Sequence, residues 1–516
     1  MEVVLFFPRP WPGKTMSGRV PFSLVHLYNY LQGSGFKIRI VDERFVSDMP
    51  SLIDGLGKNV LCFGISSFTG VQIKYGLKIA SLLKNKYPHI PIIWGGWHPS
   101  MLPDQTLQHP LVDIVVRGQG EETFKSLLYA LSEGKDLSGV NGISYKLNKE
   151  NLHNPNRELL PVLENMKINY ECVDVEKYVY MPPWGNRNDR ALGIITGLGC
   201  AFNCGFCSVP SIYMQRCLYK NIDAVLEEVD YFVYRYKINS VTIDDDNFFM
   251  KPARVKKFCE GLIDKPYRIA WEATAHVSQL LKNYDDGFLK LVKESGCKEL
   301  RIGAESGSDE VLSAINKKVT VSQTFECVMK TKAAGIGLHL STIVCFPNVS
   351  PREITNTMEM ILTCKEIDRN VDFRIFFYTP YPSTAMYKAA IEKGMKEPKS
   401  LEGWAEHTLR KFRAPWVKKK YRKQVKHFCF YYYPYAFGIN SEGYDEKKLH
   451  KRILNRLYHI IFQNMILVSL AKWRVRNRFF KFPIDAEFVM MVQRLKSWYG
   501  RLVYKNVDPF SEYDED

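Results

Sequence analysis

Three cysteines, Cys200, Cys204 and Cys207, share one short segment, Cys200-Ala-Phe-Asn-Cys204-Gly-Phe-Cys207. An apolar run from Ala191 to Thr196 and the turn Gly197-Leu198-Gly199 lead into it. Thiolates this close can each take one iron of a cubic iron–sulfur cluster. Three ligands leave the fourth iron open, and an open coordination position is where a metal centre does chemistry. Two other readings stand beside this one. A structural zinc site would need a fourth ligand; Cys217 could serve, but no second Cys-x-x-Cys pair follows. The third reading is three unrelated core cysteines.

Other chemically suggestive residues fall where strand patterns end. Asp244-Asp245-Asp246-Asn247 follows one apolar run, and Glu305-Ser306-Gly307-Ser308 follows another. The acid run reads as an exposed turn or a divalent metal site, and carboxylates at such an end suit hydroxyl donors, while Ser306 or Ser308 also fits a helix N-cap. A third run ends in Tyr378-Thr379-Pro380-Tyr381-Pro382-Ser383-Thr384. Nearer the start come Ser66-Ser67-Phe68-Thr69, Gly95-Gly96-Trp97-His98-Pro99 and Gly118-Gln119-Gly120-Glu121. Small residues and hydroxyls at these ends allow close approach of a large ligand.

The elements that must position these residues read as strand–helix alternation. Residues 1–150 hold strand patterns at Val3–Phe7, Lys37–Val41, Val60–Ile65, Ile90–Trp94 and Val112–Val116, with helical spacing between them. That order predicts a parallel sheet covered on both faces, with ligands at the strands' carboxyl ends. After a linker over 151–190, six strand patterns between 191 and 395 predict a partial barrel, again with its site at the carboxyl ends. Tyr180-Met181-Pro182-Pro183-Trp184 in the linker reads as a rigid connector or as a segment crossing between domains near the substrate. Beyond 395 the alternation stops. Residues 396–516 are basic, aromatic and mostly helical in pattern, including Lys447–Trp473 with the apolar stretch Ile460–Ala471, read as packing on the barrel; the acidic end Glu512 to Asp516 reads as frayed.

The cysteine segment resembles the cluster loop of the radical SAM superfamily, C-x3-C-x-aromatic-C, with Phe206 in the aromatic slot. The three strand-end segments before residue 150 resemble the cobalamin-binding domain fused ahead of such barrels. The resemblance implies an α/β protein: a Rossmann-like, flavodoxin-like cobalamin domain, a partial (β/α)6 barrel and a mostly α carboxyl-terminal region. It implies a [4Fe–4S] cluster on Cys200, Cys204 and Cys207, with S-adenosylmethionine (SAM) on the open iron near Phe206, Asp245, Asp246, Glu305, Ser306, Thr379 and Pro380. Cobalamin would lie against Ser66, Ser67, Thr69, Gly95, Gly96, His98, Gly118 and Glu121. The implied reaction is methyl transfer to an unactivated carbon of a small-molecule or lipid substrate, by way of a 5′-deoxyadenosyl radical and methylcobalamin. An external donor of flavodoxin or ferredoxin type would supply electrons. Cyclisation or oxidation without methyl transfer is the alternative on the same architecture.

The chain departs from the family's pattern at several positions. Gln119 replaces a glutamate. Arg44 and Ser47 stand where D-x-H-x-x-G would place the cobalt-ligating histidine and its glycine, so no lower axial histidine is expected from this motif. Cys345 and Ser383 replace glycines of the strand-five and strand-six segments, and Asn348 follows Phe346-Pro347.

Composition narrows the rest. The 516 residues carry a net charge of +16, which invites anionic partners, yet nucleic acid is not expected. A tRNA methylthiotransferase would carry a second amino-terminal cysteine triplet, and only Cys62 precedes residue 150. A non-catalytic cobalamin regulator is at odds with the intact cysteine triplet. Twelve scattered cysteines and a start without a basic leader predict a reducing, cytoplasmic setting. No apolar run reaches a membrane span, so any membrane contact would be peripheral, through the basic carboxyl-terminal region.

Overall fold

A computed structural model describes residues 1–11, 19–57, 59–164, 166–186, 188–408, 414–438 and 465–503. The first sheet is built from β1 (Glu2–Phe7), β2 (Lys37–Asp42), β3 (Val60–Ser66), β4 (Ile92–Gly95), β5 (Ile114–Val116), β6 (Ile143–Leu147) and β7 (Glu150–His153), in the order β2-β1-β3-β4-β5-β6-β7. The first five strands are mutually parallel, and β6 and β7 add an antiparallel hairpin. Successive side chains of a strand face opposite sides. Val4 and Phe6 accordingly join Ile73, Ile79 and Trp94 on one side, while Val3, Leu5 and Phe7 join Leu24, Phe124 and Leu127 on the other. Burial of both faces explains why these strands read as continuous apolar runs. The sheet runs past residue 150, because β7 is its edge strand.

The second sheet curves into a partial barrel. Its strands are β8 (Ala191–Ile194), then, after the short clip of β9 (Gly197–Leu198) with β10 (Leu218–Tyr219), β11 (Ser240–Ile243), β12 (Ala270–Ala275), β13 (Cys297–Glu305), β14 (Gly337–Val344) and β15 (Asp372–Phe377). The order β15-β14-β13-β12-β11-β8 is all parallel. On β13 and β14, Leu300, Ile302, Leu338 and Leu340 are buried in the core, whereas Arg301, Gly303, His339 and Ser341 on the alternate face are half-buried. The lumen is therefore polar.

Two segments tie the sheets together. The helix Leu401–Ala405 packs on the helix Val71–Lys86, with Leu401 and Trp404 in the first domain's core. Gln105 donates to the Pro398 carbonyl at 2.9 Å, and His407 Nε2 meets the Pro380 carbonyl at 2.8 Å. In the linker, Tyr178 donates to Asp42 of β2 at 3.0 Å, and Tyr180 forms a two-way backbone bridge with Ala191 of β8. The described carboxyl-terminal segments are helical, Lys419–His427, Met465–Arg476 and Ile484–Val503 among them. The earlier part of the helix expected over Lys447–Trp473, the start of the Ile460–Ala471 stretch, and Glu512 to Asp516 lie outside the described residues.

Candidate functional site

The cysteine loop leaves β8 and returns through the β9–β10 clip. Gly199 lies at φ +85°, and a Cβ there would stand 2.1 Å from the Arg216 carbonyl, so the loop can close only on glycine. Burial lifts all three thiols above their ordinary range, and for Cys207 up to about 12. Cys207 feels the charge of Cys204 and Cys200, and Cys200 that of Cys204, so the sulfurs share one region. Lys317, 2.9 Å from Glu305, favours the Cys204 thiolate. Among the described residues no three His, Cys, Asp or Glu side chains converge on a single ion. A tetrahedral zinc would draw its sulfurs to about 3.8 Å of one another, given Zn–S near 2.3 Å. One thiol per iron of a larger cluster is the arrangement that suits this donor set.

The three acids after β11 diverge. Asp245 is buried and spent: it accepts from the Thr196 amide and hydroxyl, each at 2.6 Å, and its own carbonyl accepts from Thr274 at 2.7 Å. These bonds let Asp245 fix the entry to the cysteine loop. Asp246 accepts from the Gly199 amide at 2.7 Å, beside the cysteines. Solvent reaches it, yet protein surrounds it on most sides, and that desolvation lifts its carboxyl to about 6. Both facts hold at once for a carboxylate on the wall of a cleft. Asp244 points to the lumen, 3.2 Å from Arg19 and 3.5 Å from Arg301.

The remaining SAM candidates sort the same way. Glu305 sits at φ +63° beside Cys204, paired to Lys317. Ser306 is fully buried, accepts from the Ser308 amide at 3.2 Å and lies 3.4 Å from the Thr357 hydroxyl. These bonds shape the turn after β13. Phe206 packs 6.0 Å from Phe346, which stacks toward Tyr378, giving an apolar wall next to the loop. Thr379 and Pro380 are buried; Thr379 donates to the Phe377 carbonyl at 3.4 Å. Ser383 and Cys345, which replace glycines, sit at φ +62° and +69°.

On the other sheet, Gly96 lies at φ +98°, and a Cβ there would come within 2.8 Å of the Ser67 carbonyl. Ser100 donates to the Gly96 carbonyl at 2.6 Å and accepts from the Gly118 amide at 2.9 Å, so the loops after β4 and β5 are tied. Ser66 faces Ser23 at 3.2 Å, and the Ser67 hydroxyl donates to the Phe68 carbonyl at 3.0 Å. Gly95 closes β4, and Glu121 is buried at the start of the helix Glu121–Ser132. His98 is fully buried, held by Thr69 at 3.0 Å and by the ring of Trp404; burial drives its imidazole down to about 3. Its hydrogen bond to Thr69 ties the loop after β4 to the loop after β3. Arg44 is also committed: Nη2 meets Asp42 at 2.6 Å, and the rings of Phe7, Phe45 and Tyr178 surround the guanidinium.

The two sets of loops face one another. The Trp97 ring lies 6.2 Å from that of Tyr213, just beyond the cysteines. Ser211 donates to the Ser383 carbonyl at 2.9 Å, and Ser383 to the Met101 carbonyl at 3.4 Å. The Tyr213 phenol is raised by burial and then by Asp246 and Glu121, one acid from each sheet.

With this geometry in place, known proteins supply the rest. The B12 binding domain family matches residues 20–128, and the radical SAM superfamily matches residues 194–361. The chain is a radical SAM enzyme with a B12-binding domain. An uncharacterized methyltransferase of Pyrococcus horikoshii is 28% identical to this radical SAM enzyme over 455 residues, 84% of this chain and 93% of the relative. The anaerobic magnesium-protoporphyrin IX monomethyl ester cyclase of Rubrivivax gelatinosus is 24% identical over 393 residues, 74% and 68% of the two chains. The solved cobalamin-dependent S-adenosylmethionine radical enzyme OxsB, with aqua-cobalamin bound, shares the fold with a TM-score of 0.68 at 16% identity, over 99% of this chain and 82% of that one. The matched domains make cobalamin and SAM the cofactors of this radical SAM enzyme.

Several residues of the site were not read in advance. Tyr213, Glu272, Arg301, Arg19 and His276 all border it; Tyr180, from the linker segment read as a crossing near the substrate, sets its hydroxyl against Thr242, which donates to Glu272 at 2.8 Å. His276 follows β12 and stacks on Phe202 of the cysteine loop at 3.8 Å. Only its place at a strand's carboxyl end marked it.

Proposed function

We propose that this enzyme methylates an unactivated carbon of a small-molecule or lipid substrate, within a space walled by both sheets. The meeting of the two sets of loops carries the reading: the Trp97 ring lies 6.2 Å from that of Tyr213, and Ser383 links Ser211 to Met101. In the proposal Cys200, Cys204 and Cys207 hold the cluster. Asp246 accepts from the SAM amine, Glu305 with Lys317 supports the nucleoside, and Phe206, Thr379 and Pro380 wall it. Ser66, Ser67, Thr69, Gly95, Gly96, Gly118 and Glu121 form the cobalamin cradle, with His98 behind it. The bound groups supply radical generation and methyl transfer; the chain binds, orients and excludes water.

The polar lumen supports a substrate bearing hydrogen-bonding groups, since Asp244, Glu272, Arg301 and Tyr180 face one another there. Electrons come from an external flavodoxin- or ferredoxin-type donor in this reading. The test is anaerobic incubation of the reconstituted enzyme with cell extract and SAM deuterated on its methyl group. A product heavier by the labelled methyl, formed together with 5′-deoxyadenosine, supports the proposal. Similarity to the cyclase favours a second reading; 5′-deoxyadenosine with an altered but unlabelled product would select it.

A further inference from the structure

The last two described helices have an inner and an outer face. On Met465–Arg476, Leu467, Ala471 and Val475 are buried, and on Ile484–Val503 so are Ala486 and Val489. The outer faces carry Met465, Leu470 and Trp473 on one helix and Ile484, Phe488 and Met491, spaced i, i+4, i+7, on the other. Phe482 projects from the turn between them. Met465, Phe482 and Ile484 are 82%, 76% and 79% exposed. The pair is held firmly: Arg474 bonds Asp485 at 2.8 Å and donates to the carbonyls of Phe479, Lys481 and Phe482. A set of large apolar side chains presented by a fixed hairpin marks a contact surface.

Charge identifies the partner. Lys472, Arg476 and Lys481 are exposed on the same hairpin, and the helix Lys419–His427 lies against it with Lys423 at 2.5 Å from Glu487. Segments 414–438 and 465–503 hold fourteen Lys and Arg against two Asp and Glu. Exposed Trp, Phe, Ile and Met interleaved with Lys and Arg suit a surface with an apolar interior beneath anionic headgroups. A nucleic-acid face would have little use for the aliphatic stripe. No helix among the described residues is long and apolar enough to cross a membrane.

We infer that this hairpin docks the enzyme on an anionic lipid bilayer, with Phe482, Ile484 and Trp473 in the headgroup boundary and Lys472, Arg476 and Lys481 among the phosphates. The test is co-sedimentation of the full-length protein with vesicles of phosphatidylcholine alone or mixed with phosphatidylglycerol. Binding to the anionic vesicles is expected to be at least about tenfold tighter and to weaken with salt. The variant Trp473→Glu/Phe482→Glu/Ile484→Glu, and separately Lys472→Glu/Arg476→Glu/Lys481→Glu, should each lose about tenfold while keeping iron and cobalamin. The charge-reversal variant leaves the apolar face intact and so guards against a folding defect. Equal binding to both vesicles, or variants that bind like the natural chain, would overturn the inference. A dimer split by the apolar variant, without vesicle binding, would assign the face to a second copy. A loss of thermal stability in that variant, again without vesicle binding, would assign it to residues 439–464.

Discussion

In the proposed reading, the cysteine loop and the loops of the first sheet hold their cofactors by opposite means. The barrel side relies on three thiolates whose identity cannot change. The first sheet offers hydroxyls, bare backbone and tight turns, and Arg44, which stands where the family's histidine would be, is locked to Asp42 beneath aromatic rings. One side holds by coordination and the other by shape. Substitutions should therefore have sharply different effects on the two sides.

The largest difference is expected from Cys204→Ala. Iron should fall from about four per chain to near zero, with loss of 5′-deoxyadenosine formation. Cobalamin should remain, because its cradle lies on a separate sheet; parallel iron and cobalamin assays decide this, and loss of both would join the two sides. Gly96→Val should give the mirror result. Its side chain would meet the Ser67 carbonyl at a backbone angle costing about 1–3 kcal/mol, so cobalamin should be lost and iron kept.

Arg44→Ala sharpens the contrast within the first domain. Asp42 would keep Tyr178 as a donor at 3.0 Å but lose its buried counter-charge. Denaturant titration should show a loss of about 3 kcal/mol. A smaller effect is expected at Glu353, whose carboxyl is buried beside the Cys345 amide and lifted to about 7 by desolvation. A folded-state value above the ordinary 4.5 means the native chain holds the proton longer than the unfolded chain. Stability should therefore decline as pH rises from 4.5 toward 7. Glu353→Gln should flatten that decline in thermal melts across pH. The smallest effect belongs to Ser383→Gly: a non-glycine residue at φ +62° is strained, and relief should add about 1 kcal/mol.

What could be read in advance followed from locality. The cysteine spacing, the apolar runs and the strand–helix alternation are short-range signals, and they placed both sheets within a few residues. The β6–β7 hairpin was missed, although Asn148-Lys149 at its tip, both at positive φ, is a two-residue turn with a recognisable first residue. Adjacent acids could not be told apart. Asp245 and Asp246 differ only because Thr196, distant in sequence, captures the first. The role of residues 398–408 as a clasp was equally invisible, because Trp404 finds its partners on the first domain. The substitutions at Cys345 and Ser383 looked like lost glycines; the backbone still adopts the glycine conformation there.

The claim that both cofactors face one space is tested most directly by electron paramagnetic resonance of the reconstituted enzyme in its cob(II)alamin state. Reducing the cluster should broaden or split the cobalt signal, and Cys204→Ala should restore the sharp spectrum. A cobalt signal indifferent to the cluster's oxidation state, with both groups fully bound, would contradict it.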